Sequence, residues 1–220
     1  MKIAQLQLAF FYDTNTPIDF DGLSYFARLE IKNIFDRNLT NNQMLGIVPK
    51  DAPPEIPRLQ LSSEDNKIRM LSTLQRSDLF VDRLFDEDQA NLDAFTKIFD
   101  SLIDVHAQLK KQPVRIGLVA YKTEYDDYPG VTIAKKYLNL VNIGGLDNLA
   151  DANVMFNKRF EMNGQTFNCH LIHMAGFDQD KQKNLLLRQV DVSTDESRGF
   201  AASYNPEVLK KAFLTKVAEF

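Results

Sequence analysis

Apolar residues along this chain recur at two different periods, and the switches between them mark out its elements. Over residues 3–12 they alternate, with Ala4, Leu6, Leu8, Phe10 and Tyr12 on one face and Gln5, Gln7 and Ala9 on the other, the period of a half-buried strand. Over residues 19–36, Phe20, Leu23, Phe26, Ala27, Ile31, Ile34 and Phe35 follow three- and four-residue steps, which predicts a helix facing a core. Residues 38–57 hold four Pro and three Asn and read as a loop. Short strands are expected at 59–61, 68–75 and 79–82, separated by polar turns at 62–67 and 76–78. The stripe Leu92, Phe95, Ile98, Phe99, Leu102, Ile103, His106 and Leu109 then predicts a long helix ending before Pro113.

The second half runs through a similar order. Val114, Ile116, Leu118 and Ala120 alternate as a strand, Ile133, Tyr137, Leu140 and Val141 outline a helix after Pro129-Gly130, and Gly144-Gly145 stops it. Val154, Phe156, Phe160 and Met162 lead into Asn163-Gly164, the dipeptide that best tolerates positive φ in a tight hairpin, and Phe167, Cys169 and Leu171 lead out. A third strand is expected over 185–192, and a final helix opens at Asn205-Pro206-Glu207 with Leu209, Ala212, Phe213, Val217 and Phe220 on its stripe. Both halves, 1–112 and 113–220, thus read strand, helix, three strands, helix, a repeat of order and not of residues. The expectation is one compact α+β unit whose halves share a curved antiparallel sheet with helices on one side. This order resembles the duplicated saddle of the TATA-binding-protein-like folds.

Composition narrows the class without naming a reaction. At 44% hydrophobic and 25% charged, with nine Gly and eight Pro, the chain can bury a core and is neither collagen-like nor low-complexity. Lys and Arg number 26 against 30 Asp and Glu, a net charge of -4, opposite in sign to the field that draws a protein onto phosphate or anionic lipid. The single cysteine, Cys169, cannot form an internal disulfide, and Met1-Lys2-Ile3-Ala4-Gln5 opens without a charged leader to an apolar core. These features make the cytoplasm the expected address. No apolar run approaches the roughly 20 residues of a membrane helix, so no membrane association is expected.

Chemistry-bearing residues are sparse. Cys169-His170-Leu171-Ile172-His173 is the most metal-like string, yet on a strand the odd spacing sends His170 and His173 to opposite faces, so no metal site is expected. Cys169 shares parity with Phe167 and Leu171 and reads as a buried, inert thiol, and His106 reads as a core histidine. Glu124, Asp126 and Asp127, interleaved with Tyr125 and Tyr128, could hold a hard cation or do acid–base work, but a solvated turn is the leading reading. Asp191 stands inside an apolar strand, where a charge requires a partner or solvent. Phosphate loops, His-Glu-x-x-His, Cys-x-x-Cys and Gly-x-Ser-x-Gly strings do not occur, and no cofactor or catalytic residue is expected.

If the apolar alternation faces the helices, the opposite sheet face carries Arg58, Arg69, Arg115, Asn157, Arg159, His170, Gln5 and Gln7, together with Gln60, Thr73, Gln75, Tyr121, Asn153, Gln189 and Asp191. Solvation alone makes such a face polar. Its arginines and amides with little Lys or Glu also suit planar hydrogen bonding to a macromolecule. Ile56-Pro57-Arg58, Arg115-Ile116-Gly117-Leu118, Leu186-Leu187-Arg188-Gln189-Val190-Asp191 and Phe213-Leu214-Thr215 together resemble an uncharacterised prokaryotic family named only for its sporadic distribution. Val119-Ala120-Tyr121-Lys122 departs from that family's Arg-Tyr-Ile-Asn-like continuation, and the resemblance implies no activity. The leading expectation is a non-catalytic module that recognises a protein or peptide through this face or through the 38–57 loop. A nucleic-acid-binding saddle stands second, and a hydrolase or nuclease built on Asp191, His170 and the acidic turn stands third; oligomeric state is left open.

Overall fold

The structure, a computed structural model, describes residues 1–13, 18–44, 52–138, 149–195 and 204–220. The elements follow as β1 (Lys2–Phe11), α1 (Phe20–Phe35), β2 (Asn41–Met44), β3 (Leu59–Ser62), β4 (Ile68–Ser72), β5 (Arg76–Asp82) and α2 (Asp88–Gln108). They continue as β6 (Arg115–Tyr125), α3 (Pro129–Leu138), β7 (Asn153–Met162), β8 (Gln165–Asp178), β9 (Lys183–Thr194) and α4 (Pro206–Glu219). The fold is α+β. The nine strands among the described residues form one antiparallel sheet in the order β2-β3-β4-β5-β1-β6-β9-β8-β7. β1 and β6 sit side by side near its middle, and the strands that follow each of them fill opposite wings.

One face of the sheet carries the helices. Leu6, Leu8 and Phe10 of β1, Leu79 of β5, Ile116 and Leu118 of β6, Val190 and Val192 of β9 and Phe167, Cys169 and Leu171 of β8 pack into one core with α1, α2 and α4. Phe95 and Phe99 of α2 and Phe213 of α4 are fully buried there, and each contributes on the order of 2–3 kcal/mol by leaving water. α3 joins the same face further out, where Tyr137 stacks on His173 at 4.1 Å between ring centroids. Helix starts follow local rules: Asp19 accepts the amide of Gly22 at α1, and Asn205 accepts that of Glu207 at α4, with Pro206 at the first helical position.

Four local readings are corrected. A register shift between Ile3 and Gln5 bulges β1, so that Ile3 enters the core in place of the half-buried Ala4. The 38–57 loop contains a strand, β2, which pairs with β3 through its backbone although Asn41, Asn42 and Gln43 give it no apolar alternation. Strand, helix, three strands, helix therefore holds for the second half-chain, whereas the first has four strands between its helices. Residues 76–78 are not a turn but the start of β5; the turn lies at 73–75, where the Thr73 hydroxyl accepts the amides of Gln75 and Arg76 at 3.2 and 3.0 Å. At the β7–β8 hairpin the expected Asn163-Gly164 turn is present, both residues at positive φ (49° and 76°). Leu140, Val141 and Gly144-Gly145 lie outside the described residues. No helix among those described is long and apolar enough to cross a membrane.

Candidate functional site: the open face of the sheet

Strand pairing sets the residues of the helix-free face in transverse rows. One row runs Arg69, Phe80, Gln7, Val119, Asp191, His170, Asn157 from β4 to β7. The next runs Gln60, Leu71, Asp78, Ala9, Gly117, Ser193, Asn168, Arg159 from β3 to β7. Gln5 lies in a third row between Asp82 and Tyr121, and Phe11 in a fourth between Arg76 and Arg115. Seven of the eight residues singled out as binding candidates therefore share this face by strand parity, Arg58 standing one residue before β3, but they do not converge. From β3 to β7 the face spans seven strand spacings, roughly 34 Å. No small ligand touches both Arg58 and Arg159.

The centre of the face is a closed polar network. Gln7 donates its amide to Asp78 at 2.8 Å and accepts the Tyr121 hydroxyl at 3.3 Å. Arg76 grips the same Asp78 through Nε and a terminal nitrogen, at 2.9 and 2.7 Å. Arg76 and Arg115 both lie over the Phe11 ring, 4.6 and 4.8 Å from its centroid, so one aromatic ring seats two guanidinium groups. Arg115 also donates to the Ser193 hydroxyl at 3.3 Å. Further out, Asp82 accepts from Gln5 at 2.7 Å and from Arg69 at 3.0 Å, and Arg159 forms an ion pair with Asp195. Arg58 turns away from this network, its guanidinium 3.5 Å from the carbonyl of Ala52.

Asp191 stands opposite Val119 and His170. Burial pushes its carboxyl above the usual carboxylate range, against the pull of His170, Arg115 and Arg76. His170 is held by Asn157, with Nδ1 2.6 Å from the amide oxygen. The acidic turn does not join them: Glu124 is five residues along β6 from Val119, roughly 17 Å away. Glu124 pairs with the N-terminal amine, and Asp126 caps the start of α3 by accepting from the Tyr128 amide and the Thr132 hydroxyl, each at 2.7 Å. His173 lies on the opposite face, stacked on Tyr137 and accepting from Arg188 at 3.3 Å. Burial and the charges of Arg188 and Lys136 lower its pKa to about 4. Among the described residues no three of His, Cys, Asp and Glu gather as a metal-binding group. Burial raises the Cys169 thiol, which sits in the core.

Several members of the network escape sequence reading. Arg76 and Asp78 read as a turn, and Asp82 as the end of a short strand. The signal that finds the first two is parity: 76, 78, 80 and 82 alternate with the core residues Leu79 and Val81. Phe11 and Ser193 carry no chemical signal of their own and matter only because Arg76 and Arg115 reach them.

A scan against protein-family models matches none of them, and no curated protein matches the chain. Among solved structures, TBP of Methanococcus jannaschii aligns over 99% of this chain and 95% of its own, at 11% identity and a TM-score of 0.29. The di-domain ARO/CYC StfQ from the steffimycin biosynthetic pathway aligns over 98% and 93%, at 9% identity and a TM-score of 0.25.

Proposed function

We propose that the chain is a non-catalytic binding module that takes a protein or an extended peptide across the open face of its sheet. The observation that carries this reading is the combination of width and charge balance on that face. It extends over roughly 34 Å, and four arginines (Arg69, Arg76, Arg115 and Arg159) share it with four aspartates (Asp78, Asp82, Asp191 and Asp195). Nucleic acid would be held by an excess of cation and the counterions it releases, which a balanced face and a net charge of -4 do not supply. A protein surface is matched instead by planar donors held in place by their own carboxylates, with Met155, Ile172 and Met174 providing apolar area toward β7.

The same reading treats the two wings as an internal duplication, 1–112 and 113–220, with a pseudo-twofold axis between β1 and β6 and with β2 as an addition to the first copy. What supports it is the matched order: β1, β5, β4, β3 outward on one side and β6, β9, β8, β7 on the other. A prokaryotic cytoplasm is the setting we propose, in keeping with the family resemblance.

The test is capture from the native host with the whole chain as bait, run beside Arg69→Ala and Arg159→Ala on the open face and Tyr25→Ala on the helix side. The expected result is a partner that copurifies with wild type and Tyr25→Ala and is depleted by the arginine variants. Purified complex should show a shallow dependence on salt. A partner retained by both arginine variants overturns the open face as the site, and a nucleic acid released steeply with salt replaces the protein reading.

A further inference from the structure

The two edges of the sheet are built differently. β2 closes one edge with four residues, whereas β7 closes the other with ten. Among the described residues no strand pairs with the outer side of β7. Met155 is 56% exposed and Phe156 45% exposed on its opposite faces, area that a neighbouring strand would cover on both sides at once. A long, regular edge of this kind is a template for strand addition.

We propose that β7 pairs antiparallel with β7 of a second copy of this chain, centred on Asn157, to make one continuous sheet. The choice of occupant rests on the strand's own sequence. A symmetric antiparallel pair keeps each sheet face on its own side, so residues opposite one another share parity, and the two-fold axis must pass through a single residue. Because the strand spans 153–162 and the Asn163-Gly164 turn ends it, only Asn157 or Lys158 at the centre pairs nine of its ten residues. Centring on Lys158 sets two ammonium groups directly opposed. Centring on Asn157 opposes no like charges: Asn157 meets Asn157, Lys158 meets Phe156, Arg159 meets Met155, Phe160 meets Val154 and Glu161 meets Asn153, each unlike pair formed twice. The alternative of β7 on β2 of the next copy would match only four residues and would propagate as a filament without closing.

The proposal is independent of the binding reading above, since its test reads the mass of the chain alone with no partner of the open face present. Its test is sedimentation velocity on the full chain over a concentration series, with wild type, Met155→Glu and Met155→Lys. Position 155 is exposed, so neither change disturbs the core. Wild type is expected to show a monomer–dimer equilibrium. Met155→Glu, set against Arg159 twice, should tighten it, and Met155→Lys should weaken it, each by roughly tenfold. Under mild oxidation Asn157→Cys should form a disulfide-linked dimer, because the two Cβ atoms lie directly opposite. A monomer at the highest soluble concentration overturns the proposal. So does a dimer indifferent to both changes at 155, which has its interface elsewhere, or one with their signs reversed, which is centred on Lys158 with Met155 against Glu161.

Discussion

Acidification from pH 7 to pH 5 should remove about 2 kcal/mol of stability through His106 alone. The ring lies in the core between α2 and β1, with Nδ1 2.6 Å from the carbonyl of Leu102 and Nε2 2.7 Å from the Tyr12 hydroxyl. A carbonyl only accepts, so Nδ1 carries the proton, and Nε2 is the bare nitrogen that accepts from Tyr12. Phe10 packs on the same ring at 4.1 Å between centroids. Protonating Nε2 would place a charge in an apolar site and force the Tyr12 hydroxyl to turn from donor to acceptor, and burial lowers the pKa from 6.5 to about 4. The sign follows from linkage: below about 6.5 the unfolded chain binds a proton that the native state refuses, so stability is full above that value and falls until about pH 4. The whole window is worth about 3 kcal/mol, of which about 2 is lost by pH 5, a large share of the 5–15 kcal/mol typical of a domain. Urea midpoints at pH 7, 6 and 5 measure it, with His106→Gln as the control that keeps polar partners but does not titrate. Asp191, whose folded carboxyl is raised, contributes with the opposite sign in both proteins and cancels in the difference. A His106→Gln slope equal to that of wild type, or a His106 ring signal titrating near 6.5, would refute the reasoning.

Other consequences are equally direct. Gly130→Ala should destabilise severely, because a Cβ there would lie 2.4 Å from the backbone oxygen of Leu149, whereas Gly117→Ala should stay within about 0.5 kcal/mol, its nearest neighbours being at 3.8 Å; thermal melts of both test the contrast. Phe213→Ala should cost about 3–5 kcal/mol in denaturant unfolding, since its ring is fully buried against Phe95 at the junction of α4 and α2. Asn205→Ala should cost about 1 kcal/mol by removing the cap of α4. On the open face, Arg159→Ala should change stability by less than about 0.5 kcal/mol because that side chain is largely solvated, while half-buried Arg115→Ala, which strips the Phe11 ring and Ser193 of their cover, should cost about 1–2 kcal/mol.

Much of this architecture is written in local pattern. The parity of Leu6, Leu8 and Phe10, the stripe from Leu92 to Leu102, the cap at Asn205-Pro206 and the turn at Asn163-Gly164 are each decided within a few residues, because side-chain period, orphan helix amides and positive φ are local constraints. The odd spacing of His170 and His173 likewise fixes their separation onto two faces before any tertiary contact forms. What local pattern cannot specify is pairing. β2 is held by the backbone of β3, and a strand of Asn, Asn and Gln advertises nothing, since main-chain hydrogen bonds are indifferent to side-chain type. The bulge that exchanges Ala4 for Ile3 comes from the register of β1 against β6, a contact more than a hundred residues apart. Arg76 and Asp78 look like a polar turn because charge in a short window resembles solvent exposure. Only β1, laying Gln7 and Phe11 alongside them, supplies the amide and the aromatic ring that let those charges sit half-buried within a sheet.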